Sequence, residues 1–249
     1  MPAKARPLVI AHRGDSTACP ENTRAAFAAA LAAGVDGIEL DVRLSSDGVP
    51  LICHDASLAR FGGSTRSLRK MTAADIRRGE VGAWKHPRFA GETVPTLDEV
   101  LAQCRRTTLY IELKATGGRG RSAYHRRLVQ AVVAAIARRG AAKRVRILCF
   151  DVGVLAEVAR VAPRLRRVRN CERLPRDLPR WLAAQPGLDA ACFDRRILTA
   201  PVVAACRAHG VQVFSWSAND EGAADRLTGL GVDGILSDRP GWLVRHLRR

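Results

Sequence analysis

Four short stretches of this chain carry residues whose types and spacing could do chemistry. They are His12-Arg13-Gly14, Glu39-Leu40-Asp41, His54-Asp55 and Glu112-Leu113-Lys114. Residues two apart on a strand face the same side, so Glu39 and Asp41 point together, and so do Glu112 and Lys114. Three carboxylates meeting at one place repel one another unless a cation neutralises them. An all-oxygen donor set suits a hard ion such as Mg2+ or Ca2+. His12 and His54 can exchange protons near neutral pH. Arg13 and Lys114 can grip a phosphate, the arginine with two parallel hydrogen bonds. The chemistry implied is metal-assisted cleavage of a phosphodiester. Each motif taken singly has a structural reading too, as a strand cap, a loop residue or a surface ion pair. Burying all of them together without a function would be costly.

These groups need elements that bring them together. Each lies at or near the end of a short apolar run: Leu8 to Ala11, Gly37 to Val42, Val49 to Cys53 and Thr107 to Leu113. Helix-like segments alternate with such runs along the whole chain. Glu21 to Ala33 reads as an alanine-rich helix stopped by Gly34, and Arg126 to Arg139 as one stopped by Gly140. Further strands are expected at 145–150, 166–169, 190–193, 211–216 and 234–236. Their partner helices are expected at 152–161, 178–184, 199–209, 219–230 and 241–247. About eight strand–helix units predict a TIM (β/α)8 barrel, in which strand ends converge at one mouth. A doubly wound open sheet is the competing arrangement. Residues 56–93, rich in Gly, Arg and Ser, break the alternation. They read as a small insertion after the second strand, with a short helix near Thr72 to Arg78. The chain, 1–249, reads as one domain without internal repeats.

Other polar residues lack this context. His86, His125, His209 and His246 read as structural or solvated, and Asp194, Asp220 and Asp238 as turn or cap residues. Trp216 ends a strand and reads as core or pocket wall. Strand alternation should turn Cys53 away from the site. The seven cysteines form no CxxC pair, which points to a reduced, cytoplasmic protein rather than a disulfide framework or zinc site. Met1 to Pro7 lacks an apolar signal core, and no apolar run reaches membrane-spanning length. The net charge is +17, but its basic residues are scattered and not interleaved with aromatics. That favours a soluble basic surface over a nucleic-acid partner. Such a field would also attract an anionic small-molecule substrate.

With these residues in view, the chain resembles the bacterial glycerophosphodiester phosphodiesterase family over nearly its whole length. The resemblance rests on AHRG at 11–14, PENT at 20–23, GIELDV at 37–42, HD at 54–55 and VPTLDEVL at 94–101. It continues through IELK at 111–114, FSWSAND at 214–220 and GVDGILSDRP at 231–240. It implies a TIM barrel that hydrolyses glycerophosphodiesters to glycerol 3-phosphate and an alcohol. The family's catalytic histidines fall on His12 and His54, and its metal ligands on Glu39, Asp41 and Glu112. Its substrate-binding residues fall on Arg13, Lys114 and Trp216, with Glu21 in support. Two places depart from the family pattern: Phe61-Gly62-Gly63 stands where two threonines and a glycine-rich turn are common, and Cys149-Phe150-Asp151 where Ser-Phe-Asp is common. A lysophospholipid-cleaving relative is the nearest alternative within the superfamily. An amidohydrolase-type barrel lacks its expected HxH pair.

Overall fold

The computed structural model describes residues 6–115 and 122–248. The stretch screened for a signal core therefore lies outside the described residues except for Arg6 and Pro7, as does Arg249. The elements run β1 (Leu8–His12), α1 (Arg24–Ala32), β2 (Gly37–Leu44), β3 (Pro50–Ile52), α2 (Ala73–Arg77), α3 (Leu97–Gln103) and β4 (Thr108–Leu113). They continue α4 (Ala123–Arg138), β5 (Val145–Cys149), α5 (Val152–Val161), β6 (Arg166–Cys171), α6 (Leu178–Ala183) and β7 (Ala190–Asp194). The last are α7 (Ala200–Ala208), β8 (Gln212–Trp216), α8 (Glu221–Leu230), β9 (Gly234–Ser237) and α9 (Pro240–His246).

Eight of the strands are parallel neighbours in the order β1-β9-β8-β7-β6-β5-β4-β2, and the β1–β2 pair closes the ring. This is the TIM barrel that the alternation predicts, with helices between strands. The open-sheet alternative fails on that closing pair. Outward-facing strand residues such as Ile38, Leu40, Ile111 and Ile147 pack with Leu97, Val100, Leu128 and Val132 of the helices. Three aspartates just ahead of β2, β7 and β9 tie the barrel together at its base. Asp36, Asp189 and Asp233 accept the backbone N–H of Val9, Arg167 and Val213 on the neighbouring strand at 2.8, 2.7 and 2.7 Å.

Inside the barrel, below the mouth, Tyr110 and Phe214 meet edge to face, with centroids 5.5 Å apart. The Arg146 guanidinium lies against both rings and donates to Gln212 at 2.7 Å. This layer forms a packed floor. Gly37 is required beside it, since a Cβ there would sit 2.5 Å from the Tyr110 ring. Gly37→Ala is expected to cost about 1–3 kcal/mol through overpacking. A urea unfolding midpoint that did not move would contradict this.

The structure shifts two helix starts. α1 begins at Arg24 rather than Glu21, because the Thr23 side chain caps it and Asn22 adopts a left-handed φ of 58°. α4 begins at Ala123 rather than Arg126, capped by Ser122. β6 runs two residues past the expected Arg169, which carries Asn170 into the barrel. β3 is not a barrel strand. It pairs antiparallel with β2, Val42 opposite Ile52. The insertion follows it and holds α2 where a short helix was expected. Leu58, Leu68, Met71, Ile76 and Val81 pack there with Leu51 and Cys53 in a small apolar cluster. A Gly-, Arg- and Ser-rich segment does not advertise that cluster.

Candidate active site

Strand register assembles the site. β1 and β2 set His12 beside Glu39, and β2 and β4 set Asp41 beside Glu112. Alternation along β2 places Glu39 and Asp41 on the inner face. All three carboxylates are buried, and one oxygen from each lies within 4.8 Å of the others. His12, Arg13, His54, Glu112, Lys114 and Trp216 line a cavity of about 180 Å³ at the mouth, with Glu39 in its wall. The residues singled out from sequence are therefore brought together. Asp41 sits just behind the wall, fixed by Asn22, whose Nδ2 donates to Oδ2 at 2.8 Å.

Lys114 Nζ donates to Glu112 Oε1 at 2.7 Å and lies 3.3 Å from Asp41 Oδ1. Arg13 Nε lies 3.2 Å from Asp41 Oδ2, an ion-pair distance without hydrogen-bond alignment. Asn170 Nδ2 donates to Glu112 Oε2 at 3.1 Å, while its Oδ1 has no partner. The trio carries its charge unevenly. Burial pushes Glu39 up to about 8, helped by Asp41 and Glu112 and opposed by His12 and Arg13. Burial also works against ionisation of Asp41, yet Arg13 and Lys114 hold it at about 2. A carboxyl whose ionisation is opposed first by burial and then by two neighbouring carboxylates marks a place where positive charge is wanted. The all-oxygen set fits a hard divalent cation.

The local backbone explains the AHRG motif. Arg13 has a φ of 59° and Gly14 one of 82°, so the chain turns sharply out of β1. A Cβ at Gly14 would lie 2.7 Å from the backbone of Ala26 in α1. The turn lets Arg13 N donate to Glu39 Oε2 at 3.2 Å and sends its guanidinium to Glu21 at 3.0 Å.

Each histidine has a carboxylate behind it. His12 Nδ1 is 2.6 Å from Asp238 Oδ1, and His54 Nδ1 is 2.7 Å from Asp55 Oδ1. Asp238 is held at about 2: burial opposes this, but His12, Asn219 and Ser16 outweigh it. It is therefore an acceptor, so Nδ1 of His12 carries a proton in either charge state, and Nε2, on the cavity side, is the nitrogen that gains or loses one. Burial draws the His12 pKa down, yet Asp238 and Glu39 leave it raised overall; burial lowers that of His54.

Several of these supports were not found by reading the sequence. Asp238 was expected only to cap or turn, but it orients His12 and is itself fixed by Asn219 Nδ2 at 2.6 Å. The signal available was its place in GVDGILSDRP, just beyond β9. His54 was expected at a barrel strand end; instead, the β2–β3 hairpin doubles back, with Cys53 N donating to Asp41 O at 2.9 Å. Cys53 itself is buried in the insertion's cluster, away from the cavity, its thiol pushed up to about 12 by burial.

Arg60, in the insertion, was also missed. It donates to Asp55 at 2.6 Å and to both oxygens of Glu21 at 2.7 and 3.1 Å. Through those carboxylates it braces His54 and Arg13 at once. Arg60→Ala is expected to lower kcat about 10- to 100-fold, as loss of an outer-shell partner does. Added guanidinium should restore part of the rate. A loss without rescue, paired with a lower melting temperature, would mean that the insertion had simply collapsed.

The sequence model of the "Glycerophosphoryl diester phosphodiesterase family" matches residues 12–242. A "Glycerophosphodiester phosphodiesterase" from Caldanaerobacter subterraneus subsp. tengcongensis is 31% identical over 245 residues, covering 97% of this chain and 98% of the relative. Among solved structures, an Oleispira antarctica phosphodiesterase in complex with the product sn-glycerol-3-phosphate is 27% identical, with a TM-score of 0.90, covering 98% of each chain. The glycerophosphodiester phosphodiesterase of Agrobacterium tumefaciens is 27% identical at a TM-score of 0.80, covering 96% of this chain and 99% of that one.

Proposed function

The chain belongs to the glycerophosphoryl diester phosphodiesterase family, and we propose that it hydrolyses glycerophosphodiesters to sn-glycerol 3-phosphate and an alcohol. One observation carries this reading: the buried carboxylate trio sits directly against Arg13 and Lys114, with two carboxylate-backed histidines lining the same small cavity. The product bound by the Oleispira antarctica relative is in keeping with it.

Glu39, Asp41 and Glu112 would hold one Mg2+ or Ca2+. When bound, that ion supplies positive charge to the phosphoryl oxygens and offsets the negative charge that builds there. Arg13 and Lys114 bind the phosphate and share in that stabilisation. One histidine takes a proton from the nucleophile at its bare Nε2, and the other gives a proton to the departing alcohol oxygen. Asp238 and Asp55 keep the two rings oriented for this. Trp216 forms a cavity wall that shields the reacting groups from water. The compact cavity, lined by charged groups, favours a small polar diester over a lysophospholipid.

The test is a screen of glycerophosphocholine, glycerophosphoethanolamine and glycerophosphoglycerol with added Mg2+ or Ca2+, scoring glycerol 3-phosphate release. Failure to release it from any of them would sink the reading.

A further inference from the structure

The inner face of β5, β6 and β8 forms the cavity wall opposite the charged strands. Alternation carries Phe150, Glu172 and Trp216 onto it, each two residues beyond a side chain already facing the barrel interior or cavity: Leu148, Asn170 and Phe214. All three line the cavity. The Phe150 and Trp216 rings meet edge to face, with centroids 5.7 Å apart, and Phe150 is still 36% exposed. The Glu172 carboxylate has no hydrogen bond and no ion pair among the described residues. Arg196, a cation close enough to feel it, is already bound to both oxygens of Asp194 at 2.5 to 3.1 Å.

A negative charge left unspent beside two aromatic rings, in the wall of a functional cavity, is the arrangement that receives an organic cation. The phosphate cannot use it, since Glu172 would repel an anion. Glycerol cannot supply the charge. The alcohol can. Resting on the hydrolysis proposed above, we propose that Phe150, Trp216 and Glu172 form a subsite for the alcohol portion of the substrate, selective for a positively charged amino alcohol. The rings present their electron-rich surfaces to the ammonium group, and Glu172 at the rim neutralises it. The strongly basic chain would otherwise disfavour a cationic substituent, so a local carboxylate is what such a preference needs.

The experiment is a competition in one reaction, in the presence of Mg2+, between a cationic diester and glycerophosphoglycerol, whose alcohol is neutral. Glycerophosphocholine and glycerophosphoethanolamine are run separately as the cationic partner, which separates quaternary from primary ammonium. The readout is the ratio of kcat/KM values. The wild-type ratio is expected to favour the cationic diester about tenfold, and Glu172→Lys and Phe150→Leu to reduce it about 3- to 10-fold, as befits one cation–π and one screened ionic contact. Glu172→Gln should give the same direction with a smaller change. Glu172 is exposed, so folding is not at stake. A ratio unmoved by Glu172→Lys overturns the subsite while leaving the hydrolysis intact. No turnover of any diester by wild type overturns the underlying function, and the subsite with it.

Discussion

Hydrolysis of glycerophosphocholine by the His54→Ala variant is expected to fall about 10²- to 10⁴-fold, the usual contribution of a positioned acid or base. His12→Ala should show a loss of the same order. The two losses should not multiply in the double variant, because a mechanism that needs both proton transfers is already disabled by losing one. The measurement is kcat with saturating Mg2+, after circular dichroism shows that each variant folds. Near-full activity in either single variant would remove that histidine from the mechanism. The geometry makes such an escape hard. Asp238 and Asp55 each occupy the Nδ1 of one ring, so neither histidine can easily stand in for the other.

Chelation of divalent ions is expected to abolish activity, and Mg2+ or Ca2+ to restore it. The affinity for the ion should rise with pH. Burial with Asp41 and Glu112 raises the Glu39 pKa to about 8 in the ion-free protein. Below that pH Glu39 holds a proton that the ion must displace. Apparent affinity then gains up to about tenfold per pH unit on the acid side and levels off once Glu39 is already ionised. Calorimetric titrations in two buffers of different ionisation enthalpy measure the released proton directly. An affinity flat between pH 6 and 8, with no proton release, would contradict the shared burial of the trio. Asp41 adds no such dependence at these pH values, since it is already ionised down to about 2.

How much of this was legible in the sequence depends on the range of the interaction. Glu39 and Asp41 could be placed on one face because their relation is fixed by two residues of strand geometry. The barrel followed from repeated alternation, a local signal repeated along the chain. The His12–Asp238 contact joins opposite ends of the chain, and no spacing rule reaches that far. Arg60 was hidden for a different reason. It lies in a segment whose composition suggests loop, and its three hydrogen bonds depend on how the insertion folds back over β3. His54 was placed at the mouth only as the end of a short extended piece whose pairing the sequence left open. The hairpin leads to the same place because Ile52 returns beside Val42, at the level of Asp41. Asn170 was missed because a strand written Arg-Arg-Val-Arg-Asn-Cys resembles a surface more than a barrel wall.

The packed floor of Tyr110, Phe214 and Arg146 has a kinetic meaning. Among the described residues, it makes the barrel a blind well that opens at the mouth. A product could not drain through the base while fresh diester arrives from above. On the mechanism proposed above, departing and arriving phosphate would use the same threshold and the same two cations, Arg13 and Lys114. Occupancy would then be mutually exclusive, and accumulating product is expected to slow the enzyme by holding the door rather than by distorting the room.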